Sequence, residues 1–321
     1  MTDLDSVAVI IPTFNAQAFM IRAIKSVQAQ TRPASEIIIV DDCSTDDTRA
    51  ILDRIAGEDP RIRIVHMPRN GGPSAARNAG IKLATSRWIA ILDADDAFAP
   101  QRLAELVPFA VDTNADIATD NLALYDAQAK LVTGTGLADG VVVPDCPIGL
   151  RDFLDHNRAD GKSFDWGLLK PLFRRQVLVD RAVFYNPEVR HGEDFQLAVE
   201  LLLAGATFRI LNRPLYLYTQ RQGAVSGRAS GMTRTTVAYG TMRDAALKMS
   251  RDERLTSDPE LVELLRIRAH GLGRLDDADF VSRAVHGGQI GRIVQRCMRD
   301  PAFFPRMLRQ IGAALRRRLP F

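Results

Sequence analysis

Four times within the first hundred residues, a short aliphatic or β-branched run stops at a cluster of Asp, Asn, Gly and Ser. Val7–Ile11 leads into Pro12-Thr13-Phe14-Asn15, Ile37–Val40 into Asp41-Asp42-Cys43-Ser44, and Ile62–Val65 towards Gly71-Gly72-Pro73-Ser74. The fourth, Trp88–Leu92, leads into Asp93-Ala94-Asp95-Asp96. Continuous apolar runs of this length suit strands buried on both faces, as in parallel sheets. Helical patterns lie between them. Phe19, Met20, Ala23, Ile24 and Val27 share a face, and Ser44 with Asp47 reads as a capping box ahead of Ile51, Leu52 and Ile55. Ser74–Ala84 and Pro100–Val107 supply two more helices. Such alternation predicts an α/β fold with a mostly parallel sheet covered by helices on both sides. Ligands of open α/β sheets bind beyond the carboxyl ends of the strands, where all four clusters fall.

The rhythm loosens after residue 120. Thr133–Gly140 reads as a loop or hairpin, and Glu193–Ala204 as an amphipathic helix ended by Gly205. Thr207–Leu211 and Leu215–Tyr218 read as strands around Pro214, and the pattern beyond residue 230 is helical. Charge divides with the pattern: residues 1–225 carry a net −5 and residues 226–321 a net +8. Cys43, Cys146 and Cys297 are isolated, which suggests neither a zinc site nor a disulfide framework. No apolar run approaches the ~20 residues of a transmembrane helix, and the first residues lack the basic and apolar regions of a signal peptide. The expected location is the cytoplasm.

Each polar cluster alone has an ordinary explanation, since an Asp after a strand often caps the next helix. Four along one sheet edge ask for a ligand. In extended backbone Asp93 and Asp95 project the same way, and two adjacent carboxylates repel unless a cation lies between them. Mg²⁺ or Mn²⁺ commonly joins a few carboxylates to substrate phosphates. The competing use is an acidic turn at Asp95-Asp96 capping the helix at Pro100. Gly71 and Gly72 permit close backbone approach, but no Walker or dinucleotide glycine pattern surrounds them. Arg77, one turn into the following helix, serves either a phosphate or a neighbouring carboxylate.

VAVIIPTFN (7–15), IIIVDDCSTDDT (37–48), GGPSAARNAGI (71–81) and ILDADD (91–96) together resemble the successive motifs of inverting family-2 glycosyltransferases. The resemblance covers residues 5–225 and is strongest through Asp96. It implies a GT-A fold with a Rossmann-like nucleotide-binding half. The implied catalytic domain is 1–225, with a nucleotide-sugar half at 1–120 and an acceptor half at 121–225, followed by a basic helical extension at 226–321. By position, Pro12, Thr13, Phe14 and Asn15 would lie beside the nucleotide base, Asp41 and Asp42 would meet the uracil ring, and Gly71 and Arg77 would lie near base and phosphate. Asp93, Ala94 and Asp95 match the DxD segment, with Asp93 and Asp95 near ribose and a metal-bound diphosphate. His191-Gly192-Glu193-Asp194-Phe195 resembles the family's acidic motif, in which Asp194 matches the catalytic base. Glu193 is the second catalytic candidate, but neighbouring helical residues diverge by ~100°, so Glu193 and Asp194 are not both expected to face the acceptor. Lys170 falls in a segment shaping the acceptor side, and Arg221 in a loop that would close over the diphosphate. The Trp of the processive QxxRW signature is missing after Arg221, which implies addition of one sugar per event.

The resemblance implies transfer of one sugar from a nucleotide-sugar donor, a UDP-sugar by preference. Its acceptor would be a saccharide or lipid-linked saccharide hydroxyl, and Mn²⁺ or Mg²⁺ the cofactor. Two alternatives stay open: a nucleotidyltransferase, and a sugar-nucleotide-binding protein without catalysis. Residues 301–321 hold five arginines, no acid and an apolar face, fitting either a membrane-surface helix or one docked on the catalytic domain with its arginines in solvent. No stacking aromatics accompany these arginines in the manner of a nucleic-acid groove, so no nucleic-acid partner is expected.

Overall fold

The computed structural model describes residues 6–138, 140–141, 146–160, 164–220 and 237–316, with 310–316 given by main chain alone. The chain forms two compact units: Met1–Asn157 with Phe164–Gln220, and Arg158–Ser163 with Arg221–Phe321. The division falls five residues before the boundary expected from sequence.

The first unit holds a nine-stranded sheet. Its strands are β1 (Val7–Thr13), β2 (Glu36–Asp41), β3 (Ile62–His66), β4 (Trp88–Ile91), β5 (Ala97–Phe98), β6 (Ile117–Asp126), β7 (Leu131–Thr135), β8 (Leu172–Arg174) and β9 (Phe208–Gln220). They lie in the order β3-β2-β1-β4-β8-β6-β9-β5, with β7 against β6. Helices α1 (Met20–Gln28), α2 (Thr48–Ile55), α3 (Gly72–Leu83), α4 (Arg102–Asp112), α5 (Leu150–Asp155), α6 (Arg175–Asp180) and α7 (Glu193–Leu203) belong to this unit. β1 to β4 pair in parallel; β1, β2 and β4 bury their aliphatic runs, as a two-sided sheet requires, while the edge strand β3 buries Ile62 and leaves Ile64 and Val65 partly covered. β8 joins β4 antiparallel, and β6 and β9 then run parallel to each other.

Several local expectations change. β1 continues through Pro12 to Thr13. Leu92 N–H bonds to the Ile10 carbonyl, so even-numbered residues of β1 face β4; that ladder ends at Ile10, and the missing Pro12 N–H leaves no gap in it. The second helix starts at Thr48 after Asp47, not after Ser44. The Ser44 hydroxyl instead accepts the Asn15 N–H at 2.9 Å, tying two sheet-edge loops together. The two strands expected around Pro214 are one strand, β9, whose register slips opposite Asp120-Asn121 and so absorbs the proline. The hairpin reading of Thr133–Gly140, by contrast, agrees with the structure: Leu131–Thr135 forms β7, antiparallel to β6. Gly80 lets α3 lie close on β1: a Cβ there would fall 2.5 Å from Ile10 Cγ2.

The second unit contains helices α8 (Tyr239–Met249), α9 (Glu253–Thr256), α10 (Pro259–His286), α11 (Ile290–Arg299) and α12 (Phe303–Arg316). Asp258 caps α10 by accepting from Glu260 N and Leu261 N, with Pro259 at the first helical position. The start of the basic tail docks within this unit. Phe303 is fully buried edge-on to Phe280, and Arg306 pairs with Asp277 at 2.8 Å and Asp300 at 2.7 Å. Arg316, Arg317 and Arg318, part of the expected basic tail, lie where no side chain is described. Among the described residues no helix is long and apolar enough to cross a membrane.

Candidate active site

The carboxyl edge of β1–β4 is braced by its own polar residues. The Asp42 carboxylate accepts the Gly71 N–H and Gly72 N–H, each at 2.7 Å, and so seats the start of α3. Gly72 has φ +82°, the left-handed region that favours glycine. Burial pushes Asp42 above its ordinary pKa, against the pull of those two amides. Asp41 accepts from Ser44 N–H and lies 3.1 Å from His66 Nδ1. Asn15, at φ 47°, accepts the Thr45 N–H through its side chain. The Thr13 hydroxyl is buried and donates to the Val40 carbonyl, while Phe14 is half exposed. Asp41, Asp42 and Asn15 therefore hold the loops in which they lie, and the Thr13 hydroxyl bridges β1 to β2.

Behind this edge five charged side chains gather. Arg77, projecting from α3 and 3% exposed, contacts Asp93 Oδ1 at 2.7 Å and Glu193 Oε1 at 2.6 Å, with Asp194 Oδ1 at 3.7 Å. Lys170, from the segment entering β8, contacts Asp194 Oδ2 at 2.6 Å and Asp93 Oδ2 at 3.0 Å. Asp93 thus shares both oxygens with cations, and Lys170 joins it to Asp194. Burial pushes Asp93 up, but Lys170 and Arg77 outweigh it and hold the carboxyl well below the usual range. Burial lowers Lys170, yet Asp194 and Asp93 hold its ammonium well above the ordinary lysine value. Glu193 and Asp194, both in the first turn of α7, reach Arg77 at 2.6 and 3.7 Å.

The α7 entry loop is fixed by α3. Ser74 Oγ donates to the Val189 carbonyl, and the Asn78 side chain exchanges hydrogen bonds with the Tyr185 main chain. His191 lies half buried in that loop, its pKa lowered by desolvation. On the other flank Asp96 accepts from the Tyr216 hydroxyl and Thr219 N–H, each at 2.8 Å. Burial, with Asp93 nearby, pushes Asp96 up to about 7. The Asp95 carbonyl accepts from Thr219 Oγ1 at 2.5 Å and Arg22 Nη2 at 2.6 Å. Asp96 therefore clasps β9 and does not cap α4. Arg102, wholly buried, pairs with Asp120 and donates to the Lys170 carbonyl at 2.5 Å, fixing the main chain beneath the ammonium.

Arg77, Asp93, Lys170, Glu193 and Asp194 come together; Arg221 lies outside the described residues. Arg22, Arg102, Tyr216 and Thr219 also shape the site and were not expected from sequence. No local pattern marks them, because each acts across the sheet or between distant segments. Asn78 lies within GGPSAARNAGI, a segment that gives no sign of its partner. Asp93, expected to share a cation with Asp95, has its two carboxylate oxygens against Arg77 and Lys170. Among the described residues no group of three His, Cys, Asp or Glu side chains is arranged to hold a metal ion.

A half-parallel sheet with acidic loops at its carboxyl edge, met by a carboxylate-bearing helix from the mixed half, agrees with the GT-A fold that the sequence resemblance implied. The family model described as glycosyl transferase family 2 matches residues 8–164, and the chain belongs to that family. It is 31% identical to the succinoglycan biosynthesis protein ExoU of Rhizobium meliloti over 94% of this chain and 85% of ExoU. It is 34% identical to ExoO, also of Rhizobium meliloti and also described as a succinoglycan biosynthesis protein. That match covers 68% of this chain and spans 62% of ExoO's length. Staphylococcus aureus TarS 1–349, solved in complex with UDP, shares the fold at TM-score 0.58 and 21% identity, over 81% of this chain and 70% of TarS 1–349.

Proposed function

We propose that this glycosyltransferase moves one sugar from a nucleotide-sugar donor to an acceptor hydroxyl by a single displacement that inverts the anomeric centre. The observation that carries this is the ion-pair cluster in which Lys170 joins Asp93, on the donor edge, to Asp194, at the head of α7. Asp194 takes the acceptor proton as the acceptor oxygen bonds to the anomeric carbon. The bond from that carbon to the diphosphate oxygen breaks, and the nucleoside diphosphate leaves. Lys170 and Arg77 hold the carboxylates in place and offset charge as it develops. A divalent cation, Mn²⁺ or Mg²⁺, would take Asp95 and the donor's phosphate oxygens as ligands and would neutralise the leaving diphosphate. UDP in the TarS complex supports a UDP-sugar, and the names of ExoU and ExoO support polysaccharide assembly. The acceptor in this reading is a saccharide or lipid-linked saccharide met at the cytoplasmic face.

The test is Asp194→Asn. Lys170 keeps Asp93 as partner, so donor affinity by calorimetry with Mn²⁺ should change by less than about threefold. Turnover should fall by about 10²–10⁴. A wild-type rate would remove Asp194 from the mechanism, and Mn²⁺-dependent donor binding that survives Asp95→Ala would remove the metal assignment.

A further inference from the structure

The second unit carries an apolar surface that its own packing leaves uncovered. α11 is strongly two-sided, yet none of its residues is fully buried. Its inner arc is Ile293, Arg296 and Cys297, half buried, with Arg296 paired to Asp277 at 2.8 Å and lying over the Phe280 ring. Ile290, Val294 and Met298, four residues apart and so on one line, are 64%, 54% and 72% exposed. α12 repeats the pattern: Phe303 and Arg306 turn inward, while Phe304 and Leu308 are about half exposed. Val285, at the end of α10, is exposed as well.

The charge beside this surface is of one sign. Between Val285 and Arg309 the sequence holds five arginines and a single acid, Asp300, which Arg306 neutralises at 2.7 Å. Arg296 and Arg306 are consumed by internal pairs. Arg292, Arg299 and Arg309 are exposed and have no carboxylate partner among the described residues. Arg292 and Arg299, seven apart, form a second line on the exposed arc of α11; Arg292 donates to Gln289 Oε1 at 3.0 Å and its guanidinium lies 5.8 Å from the Phe280 ring centre, at the inner edge of that arc. Apolar stripes beside unpaired arginines match an interface with acyl chains below and anionic headgroups around it. A second copy of the chain fits less well, because a two-fold contact would set these arginines against their own equivalents with no acid to meet them.

We propose that α11 and the first turns of α12 form an anionic-membrane-binding surface, seated through Ile290, Val294, Met298, Phe304 and Leu308 and held by Arg292, Arg299 and Arg309. This moves the membrane surface upstream of the stretch that sequence alone suggested, and it stands apart from the catalytic assignment. The full chain should float with phosphatidylcholine vesicles containing about one third phosphatidylglycerol, and far less with phosphatidylcholine alone. Val294→Asp with Met298→Asp should cut the vesicle-bound fraction at least about tenfold. Arg292→Gln with Arg299→Gln should reduce binding to the level seen on neutral vesicles. Both pairs lie at exposed positions, so circular dichroism and melting should match wild type, and the arginine pair leaves the apolar stripe intact as an independent check. The proposal is overturned by absence of flotation, by variants that float like wild type, or by a micromolar dimer that the Val294/Met298 variant dissociates.

Discussion

Removing the Lys170 ammonium tests the ion-pair cluster most directly. Asp93, Glu193 and Asp194 face Arg77 and Lys170, a formal charge of −1 in a buried setting. Lys170→Met keeps most of the volume but takes the charge to −2 and leaves Asp194 Oδ2 without its 2.6 Å partner. Breaking a buried pair from one side costs about 3–5 kcal/mol, because the remaining charge stays desolvated. Both tryptophans, Trp88 and Trp166, are buried in the first unit, so fluorescence during urea unfolding reports that unit. With a slope near 2–3 kcal/mol per molar urea, the midpoint should fall by about 1–2.5 M at pH 8. The loss should shrink as pH falls. A cluster carboxyl without Lys170 has its folded-state pKa raised, so the folded variant binds more protons than the unfolded chain and gains relative stability towards acid, at about 1.4 kcal/mol per pH unit. Lys170→Met/Asp194→Asn should recover at least half of the loss, since the orphaned charge is gone. A midpoint shift below about 0.3 M with no pH trend, or a double variant no better than the single, would show that solvent screens these charges.

Asp96 gives a second pH test, of opposite origin. Its folded pKa of about 7 exceeds the unfolded value of 3.8, so the folded state binds the extra proton. Its contribution to stability is then fully present below about pH 4 and is lost as pH rises towards 7. Asp96→Asn should remove that decline, a difference on the order of 2–4 kcal/mol across the window by urea titration; parallel curves for the two proteins would refute the assignment. Gly80→Ala would place a methyl 2.5 Å from Ile10 Cγ2 and should cost about 1–3 kcal/mol, and Ile10→Ala, which removes that Cγ2, should make the double variant less destabilised than the sum of the two single variants. Equal melting of Gly80→Ala and wild type would mean that α3 can lift from β1 freely.

Much of the first half was legible because it is local. Apolar runs with the right length and branching gave β1 to β4 within two residues, and the turns after them carried the expected polar clusters. β6 and β8 were not legible: Ile117–Asp126 has no clean alternation, and Leu172–Arg174 is too short to register as a period. Pro214 split β9 in the sequence because nothing local shows that the partner strand will slip to accommodate it.

The site divides along the same line. Residue order alone determined that acidic and glycine-rich turns would crowd the carboxyl edge of a parallel sheet, since strand direction and chain polarity place them there. Which carboxylate meets which cation was decided only when β8 came in beside β4 and α7 was pinned to α3. Those packings bring Lys170 and Asp194 to Asp93 and Arg77 across separations of up to 117 positions. Ion pairing depends on distances of a few ångströms and on exclusion of water. Both are properties of packed surfaces, which no local pattern in the chain records.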